Sequence, residues 1–461
     1  MKKVILPVGA VLLLVLIVVS CQPKQPKEPI TARYPDWVKN AVIYEVNVRQ
    51  YTPEGTFKAF ESHLPRLKEL GVDILWFMPI HPIGLEKRKV PEGMTGSLGS
   101  YYSVKDYKGV NPEFGTEEDF KALVAKAHEM GFKVLIDWVA NHSAWDNPWI
   151  KEHPEWYVQD SLGNIQSAFD WTDVAKLNYE NQDMRKAMIE AMKYWIEKCD
   201  IDGFRCDVAG EVPVDFWEQA RPELEKVKPM FMLAENESKP ELFNKAFDAA
   251  YGWSMSNGIL VNIAKGNEKA EAIARHQMKL DTTIAKDAFY MNFITNHDEN
   301  SWNGTAKEKF GDGENAFAVL TYTLPGMPLI YSGQEAGLDH RLQFFIKDSI
   351  NWNLKDFAPF YKTLNALKHE NGALWNPPYG GAFISLDNTS PDKVVSFMRE
   401  KGKLKVVVIM NLSKEIVSVR LKDSRADEDY TDVFKQSKFT LSSANLDINL
   451  QPWGYWVFES H

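Results

Sequence analysis

The stretch Gly203-Phe204-Arg205-Cys206-Asp207 reads as a short buried strand, yet it carries one charge of each sign near its C-terminal end. Apolar patterning would put another Val or Ile there. An Arg–Asp pair closing a strand end would explain two residues taken alone, since structural ion pairs are common. Three further stretches repeat the pattern. Val134 to Ala140 runs into Asn141-His142, Phe231-Met232-Leu233-Ala234 runs into Glu235, and Met291 to Thr295 runs into Asn296-His297-Asp298. In a parallel α/β barrel all strands end on one face, so these four segments would bring three carboxylates, two histidines and an arginine into one pocket.

The surrounding pattern agrees with a barrel. From Val42 onward, short apolar runs alternate with amphipathic segments, as βαβ units require. The expected strands are 42–48, 73–80, 133–140, 203–208, 230–235, 249–253, 288–296 and 328–333, which completes a count of eight. Helices are expected over 57–70, from Gln182 onward, and over 356–369. Thr116 with Asp119 three residues later forms a capping-box signature for the helix after the second strand. Between the third strand and Gln182 lie about forty residues rich in Trp, Pro, Asp and Asn, too long for an idle loop. Beyond Gly372 the period changes to two, with strands expected over 393–398, 404–410, 416–421 and 453–458 and no helix among them. That pattern predicts a separate antiparallel β-sandwich over 371–461, behind a catalytic (β/α)8 TIM barrel over 34–370.

The first residues have a logic of their own. Lys2 and Lys3 precede an apolar run ending in Val18-Val19-Ser20-Cys21, the form of a secretory signal over 1–20. The ending is similar to a bacterial lipobox, which would make Cys21 a lipidated first residue of an exported protein anchored in the cell envelope. Residues 21–33, rich in Pro, Lys and Gln, would then be a solvated spacer. Cys199 and Cys206, the remaining cysteines, lie in apolar surroundings and are expected as free thiols. A formal charge of −10 leaves no basic excess for nucleic acid or an anionic membrane. Fifteen tryptophans are a generous supply, most of them expected in the core.

In combination and in order, DWVANH, GFRCD, the Glu of MLAEN, and FITNHD resemble the four signature segments of the α-amylase family of glycoside hydrolases. The resemblance spans most of the chain. It implies that the long segment after the third strand is a small inserted domain over 143–180 forming one wall of a cleft. It also implies that Asp207 is the nucleophile, Glu235 the general acid and base, and Asp298 a third carboxylate that distorts the sugar. His142 and His297 would donate to sugar hydroxyls, Arg205 belongs to the substrate-binding set, and Arg341 is carried over on a looser match. The segment Leu98-Gly99-Ser100-Tyr101-Tyr102 is similar to the one whose tyrosine stacks on the sugar being cleaved; counting back from Gly115-Thr116 gives Tyr102, with Tyr101 as the alternative.

Chemistry supports that division. Arg205 lies two residues from Asp207 on one strand face and is expected to keep it ionised, whereas Glu235 follows an apolar run without a basic neighbour, so burial is expected to raise its pKa. Glu237, two residues on, is the competitor for that role. Asn141 and Asp137 are expected to be architectural.

The sequence departs from the α-amylase pattern after the nucleophile, where Gly210-Glu211 stands in place of a Lys-His pair. That segment and Ala175-Lys176-Leu177-Asn178 look more like the cyclomaltodextrinase and neopullulanase branch. Calcium would sit near Asn141, but the changed partner and the lack of an Asp-rich loop lead to the expectation that no metal or other cofactor is required. The expected activity is endo-hydrolysis of α-1,4 bonds in starch, glycogen or maltooligosaccharides by a monomer. The alternatives are cyclomaltodextrinase or neopullulanase activity, a 4-α-glucanotransferase, and a surface glycan-binding protein that has lost catalysis. The last would lack a carboxylate, and here all three are present.

Overall fold

The computed structural model describes residues 32–460. The secretory segment, Cys21 and most of the spacer lie outside the described residues. Eight parallel strands close a barrel in the order β1-β11-β10-β9-β8-β7-β3-β2. They are β1 (Ile43–Val46), β2 (Ile74–Phe77), β3 (Lys133–Trp138), β7 (Gly203–Cys206), β8 (Phe231–Ala234), β9 (Ala249–Tyr251), β10 (Phe289–Asn292) and β11 (Met327–Tyr331). Each is shorter than the apolar run that announced it, because pairing stops where the strand ends splay towards the C-terminal face. Val48, expected within the first strand, instead opens a helical turn over Val48–Tyr51.

Alternation sorts each strand's side chains into two cores. Ile43, Ile74, Trp76, Leu135, Phe231, Leu233, Tyr251, Met291 and Leu329 fill the barrel interior. Their neighbours Val42, Leu75, Val134, Ile136, Phe204, Met232 and Ile330 pack outward under the helices. Gly203 lies where β7 meets β8, and a Cβ there would fall 2.0 Å from the Phe231 carbonyl oxygen, so no larger residue fits. The inner parity continues past the apolar layer: Glu45 follows Ile43, Asp137 follows Leu135, Arg205 follows Gly203, and Glu235 follows Leu233. Period two thus lifts charged groups onto the top layer of the barrel.

The helix expected over 57–70 is two helices, Phe57–Glu61 and Leu64–Leu70. Pro65 in the first turn of the second has no N–H to continue the first, which accounts for the break. The capping box at Thr116 is formed: Thr116 Oγ1 accepts from the Asp119 N–H at 3.2 Å, and Asp119 Oδ2 accepts from the Thr116 N–H at 2.9 Å. After β3, the strands β4 (His142–Ala144), β5 (Ser167–Ala168) and β6 (Trp171–Lys176) form a small antiparallel sheet. Cys199 and Cys206 are buried free thiols.

Beyond the barrel, β12 (Ala382–Ser385), β13 (Val394–Lys401), β14 (Leu404–Asn411), β16 (Asp429–Asp432), β17 (Lys438–Thr440) and β19 (Tyr455–Ser460) make an antiparallel sheet. The strands β15 (Val417–Val419) and β18 (Ile448–Leu450) pair separately. One face of the large sheet, through Met398, Val407, Ile409 and Phe458, closes a core against that pair. Its other face, through Val395, Phe397, Val406 and Val408, joins the outer barrel core.

Candidate active site

Arg205 organises the C-terminal face. Its Nη1 donates to Asp137 Oδ1 at 2.7 Å and to Asp207 Oδ1 at 3.1 Å, and its Nε donates to the Tyr251 hydroxyl at 3.0 Å. Its Nη2 lies 2.9 Å from Glu235 Oε2, an ion pair without hydrogen-bond alignment. Trp76 and Tyr251 flank the guanidinium at 5.3 and 5.5 Å. Arg205 is fully buried beneath the carboxylates, so the expectation that it binds substrate is corrected: with no exposed atom it acts through the groups it holds.

Above this arginine lies a cavity of about 300 Å³. Of the expected residues, Asp207, Glu235, Asp298, Tyr102, His142 and His297 all line it. The Tyr102 hydroxyl donates to Asp137 Oδ2 at 3.1 Å and meets His297 Nε2 at 2.7 Å. Tyr102 also stacks parallel to Phe344, with ring centroids 6.4 Å apart. Tyr101 is buried behind it, its hydroxyl donating to Asn47 Oδ1 at 3.1 Å and its ring under Arg49, so of the two tyrosines it is Tyr102 that faces the cavity. Glu237 faces away, accepting from the Ser254 N–H at 2.7 Å, so Glu235 is the carboxylate in the cavity. Arg341 does not line the cavity: on the surface its Nε pairs with Glu308 at 3.0 Å, and its Nη1 donates to the carbonyl of Trp302, a cavity residue, at 3.4 Å.

The backbone contributes too. Val208, next to Asp207, has φ 35° and ψ 46°, a left-handed conformation that costs a β-branched residue about 1–2 kcal/mol. The turn aims the Val208 N–H at Glu235 Oε2, 2.8 Å away. Strain at that position is therefore coupled to the orientation of a carboxylate.

The electrostatics differ from the sequence expectation. Burial pushes the Asp207 carboxyl well above its ordinary value; Arg205 opposes this, but Glu235, Asp137 and Asp298 add to it. Asp137 is likewise pushed up by burial, to about 6, against the pull of Arg205 and His297. Burial and the neighbouring carboxylates outweigh the pull of the guanidinium at these two residues, so Asp207 and Asp137 hold protons to higher pH than isolated acids would. Nor is Glu235 without a basic neighbour, since the barrel brings Arg205 to it. Burial lowers His142 to about 4. For His297 burial also lowers the pKa, but Asp298 and Glu45 together raise it to about 9.

Several site residues escaped the sequence reading. Glu45, wholly buried on β1, holds His297 Nδ1 at 2.5 Å. Its signal was available: a carboxylate in the apolar run Val42-Ile43-Tyr44-Glu45-Val46, the same cue that marked the other strands. Lys89, Trp171, Asp173, Trp302, Phe344 and Phe345 also line the cavity. They sit on loops or on the small inserted sheet, where no period marks them. Among the described residues no group of three or more His, Cys, Asp or Glu side chains could hold a metal ion. Asn141, the expected position for calcium, is buried with its Nδ2 3.2 Å from His142 Nδ1, and Gly210 brings no side chain to help it.

A closed parallel barrel with clustered carboxylates and aromatic walls at its C-terminal mouth defines a barrel enzyme built to handle a polyhydroxylated substrate. The family described as "Alpha amylase, catalytic domain" matches residues 33–372, and "Maltogenic Amylase, C-terminal domain" matches residues 383–457. A maltogenic α-amylase from Thermotoga neapolitana has a similar solved structure, 31% identical with TM-score 0.82, over 92% of this chain and 99% of that one. The α-amylase MalA of Haloarcula japonica is 27% identical over 84% of this chain, which spans 57% of that protein's length. A cyclomaltodextrinase from a Bacillus species is 26% identical over 82% of this chain and 74% of its own length. The chain belongs to the α-amylase family of glycoside hydrolases.

Proposed function

We propose that the protein is a retaining hydrolase that cleaves α-1,4-glucosidic bonds within starch, glycogen or maltooligosaccharides. The observation that carries this is the seating of Asp207 and Glu235 on the two terminal nitrogens of one guanidinium, with Asp298 across the same cavity. Two carboxylates at one guanidinium suit the retaining mechanism, in which one attacks directly and the other serves as acid and then base, at a separation of about 5–5.5 Å.

Asp207 Oδ1 is engaged by Arg205, leaving Oδ2 to attack the anomeric carbon. Glu235 Oε2 is held by the Val208 N–H, leaving Oε1 to carry the proton that passes to the departing glycosidic oxygen. Glu235, now ionised, takes a proton from water, whose oxygen displaces Asp207 from the anomeric carbon and restores both groups. Asp298 and His142 are placed to hold the ring hydroxyls, with Tyr102 beneath the ring.

The names of the relatives and the match of residues 383–457 favour a second reading, maltogenic or cyclomaltodextrin-cleaving activity at the same site. Products from maltoheptaose, pullulan and cyclodextrin, followed over time with Asp207→Asn as control, separate the two. Maltoheptaose cleavage alone supports the first reading, and cyclodextrin cleavage the second. Proton NMR of the first products tests retention: an initial β-anomer would refute it. At high substrate, products longer than the substrate with no net gain of reducing ends would move the assignment to a glucanotransferase.

The reading extends to a calcium-independent monomer, exported and lipid-anchored at Cys21. Dialysis against EDTA is expected to leave rate and melting temperature unchanged. Labelling with a fatty-acid analogue is expected to mark the wild type and not Cys21→Ser.

A further inference from the structure

We propose that Glu299 is a positioning residue for this hydrolysis: its clamped carboxylate fixes one turn so that Asp298 at its start and Trp302 near its end face the same bound glucan. The proposal rests on the α-glucan reading of the cavity.

Residues Glu299–Asn303 form a π-helical turn that begins directly after Asp298. Wide turns of this kind are uncommon and need side-chain support. Glu299 supplies it from a buried position. Its Oε2 accepts from Lys309 Nζ at 2.8 Å, and its Oε1 accepts from Asn257 Nδ2 and Asn303 Nδ2, each at 2.8 Å. Its N–H donates to Asn296 Oδ1 at 2.8 Å. Every part of this residue is thus engaged, and three separate segments converge on it. Lys309 is itself buried and has Glu299 as its carboxylate partner, so the pair is neutral. Neutrality matters one residue from Asp298, because an uncompensated charge there would add to an already crowded carboxylate field.

The same turn reaches the aromatic wall. Asn300 Oδ1 accepts from the Leu342 N–H at 2.8 Å, and Asn300 Nδ2 donates to the His340 carbonyl at 3.2 Å. Trp302 leaves the turn with half its surface exposed, 51%, and its ring centroid lies 5.2 Å from that of Phe344, which also stacks on Tyr102 and meets Tyr101 and Phe345 edge-on. An exposed indole on the wall of a cavity lined by acids is suited to stack on the apolar face of a sugar ring. Disturbing Glu299 would therefore move a carboxylate and a stacking surface together, a consequence that a purely structural ion pair would not have.

The test compares wild type with Glu299→Gln/Lys309→Met, a pair that stays uncharged and close in volume, on maltoheptaose and on a short chromogenic maltoside. Melting temperature is recorded alongside. The expected result is a folded protein whose kcat falls at least tenfold on both substrates, with KM rising several-fold for maltoheptaose and less for the short substrate. A folded double variant with wild-type kcat and KM overturns the proposal. Should that variant not fold, a cycle of Asn303→Ala and Trp302→Ala decides through KM for maltoheptaose. Non-additive effects support the coupling and additive effects overturn it. A wild type inert on every α-glucan overturns the substrate reading, and the proposal with it.

Discussion

Replacing Arg205 by Met removes the guanidinium at the base of the site while keeping a long apolar side chain between Trp76 and Tyr251. The guanidinium lies within 2.7 to 3.1 Å of three carboxylates. At an effective dielectric near 20, a charge pair about 4 Å apart is worth about 4 kcal/mol, which is about three pKa units on each neighbour before the neighbours relax. Asp207 is already pushed up by burial and by the carboxylates around it, so losing Arg205 raises it further. The sign follows directly. Attack needs ionised Asp207, and activity disappears as pH falls through its pKa, so the acid limb of kcat/KM must move to higher pH.

Movement of that limb by two units or more is expected in Arg205→Met, with a drop of at least a hundredfold at neutral pH. Arg205→Lys keeps the charge and loses the fork; its limb should stay within about one unit of wild type while its rate falls less. The assay is kcat/KM on maltoheptaose from pH 4 to 9, with melts at each pH to separate inactivity from unfolding. An Arg205→Met enzyme that folds and shows the wild-type acid limb would refute the placement of Arg205 as the counter-ion of the site.

Asp207→Asn should lose activity by at least 10⁴-fold yet melt no lower than wild type, because burying that carboxylate is unfavourable; a melting point lowered by several degrees would contradict this. His297 at about 9, above its ordinary 6.5, favours folding fully below about pH 6.5, and that contribution is lost as pH rises through about 9. Melting temperature should therefore fall between pH 7 and 10, and Glu45→Gln should flatten the fall; an unchanged slope would show that Glu45 does not hold the imidazolium. Val208→Gly relieves a left-handed backbone but frees the peptide that orients Glu235. Stability within about 1 kcal/mol of wild type and a several-fold lower kcat are expected, read by denaturant melts and by maltoheptaose kinetics.

The barrel was legible because its signal repeats. Each strand buries both faces, so it reads as an apolar run, and a polar residue ending such a run stands out. That is why Asp207, Glu235 and Asp298 could be read from the chain. Glu45 gave the same cue but lay at the first strand, where no matching motif drew attention to it. The environment of each group was less accessible. Arg205 and Glu235 are 30 positions apart, and the closing of β7 beside β8 makes them partners. The field at Asp207 depends on Asp137 and Asp298 from other strands, which spacing along one strand does not reveal. The short strands β12, β16, β17 and β18 were not among those expected from the sequence.

The walls of the site illustrate a different limit. Trp302 and Phe344 sit on a wide turn and a loop, and Trp171 opens the short strand β6, so no sustained period marks any of them. Their placement follows from what anchors them. Asn300 ties the turn bearing Trp302 to the segment bearing Phe344, and the His142 ring meets Trp171 edge-on at 5.4 Å. The catalytic floor is set by the strand register of the barrel, whereas the walls are set by polar side chains that pin loops. A change in a pinning residue such as Asn300 should therefore alter which glucan is accepted more than how fast the bond breaks. A change in register beneath Asp207 should abolish the reaction for every substrate alike.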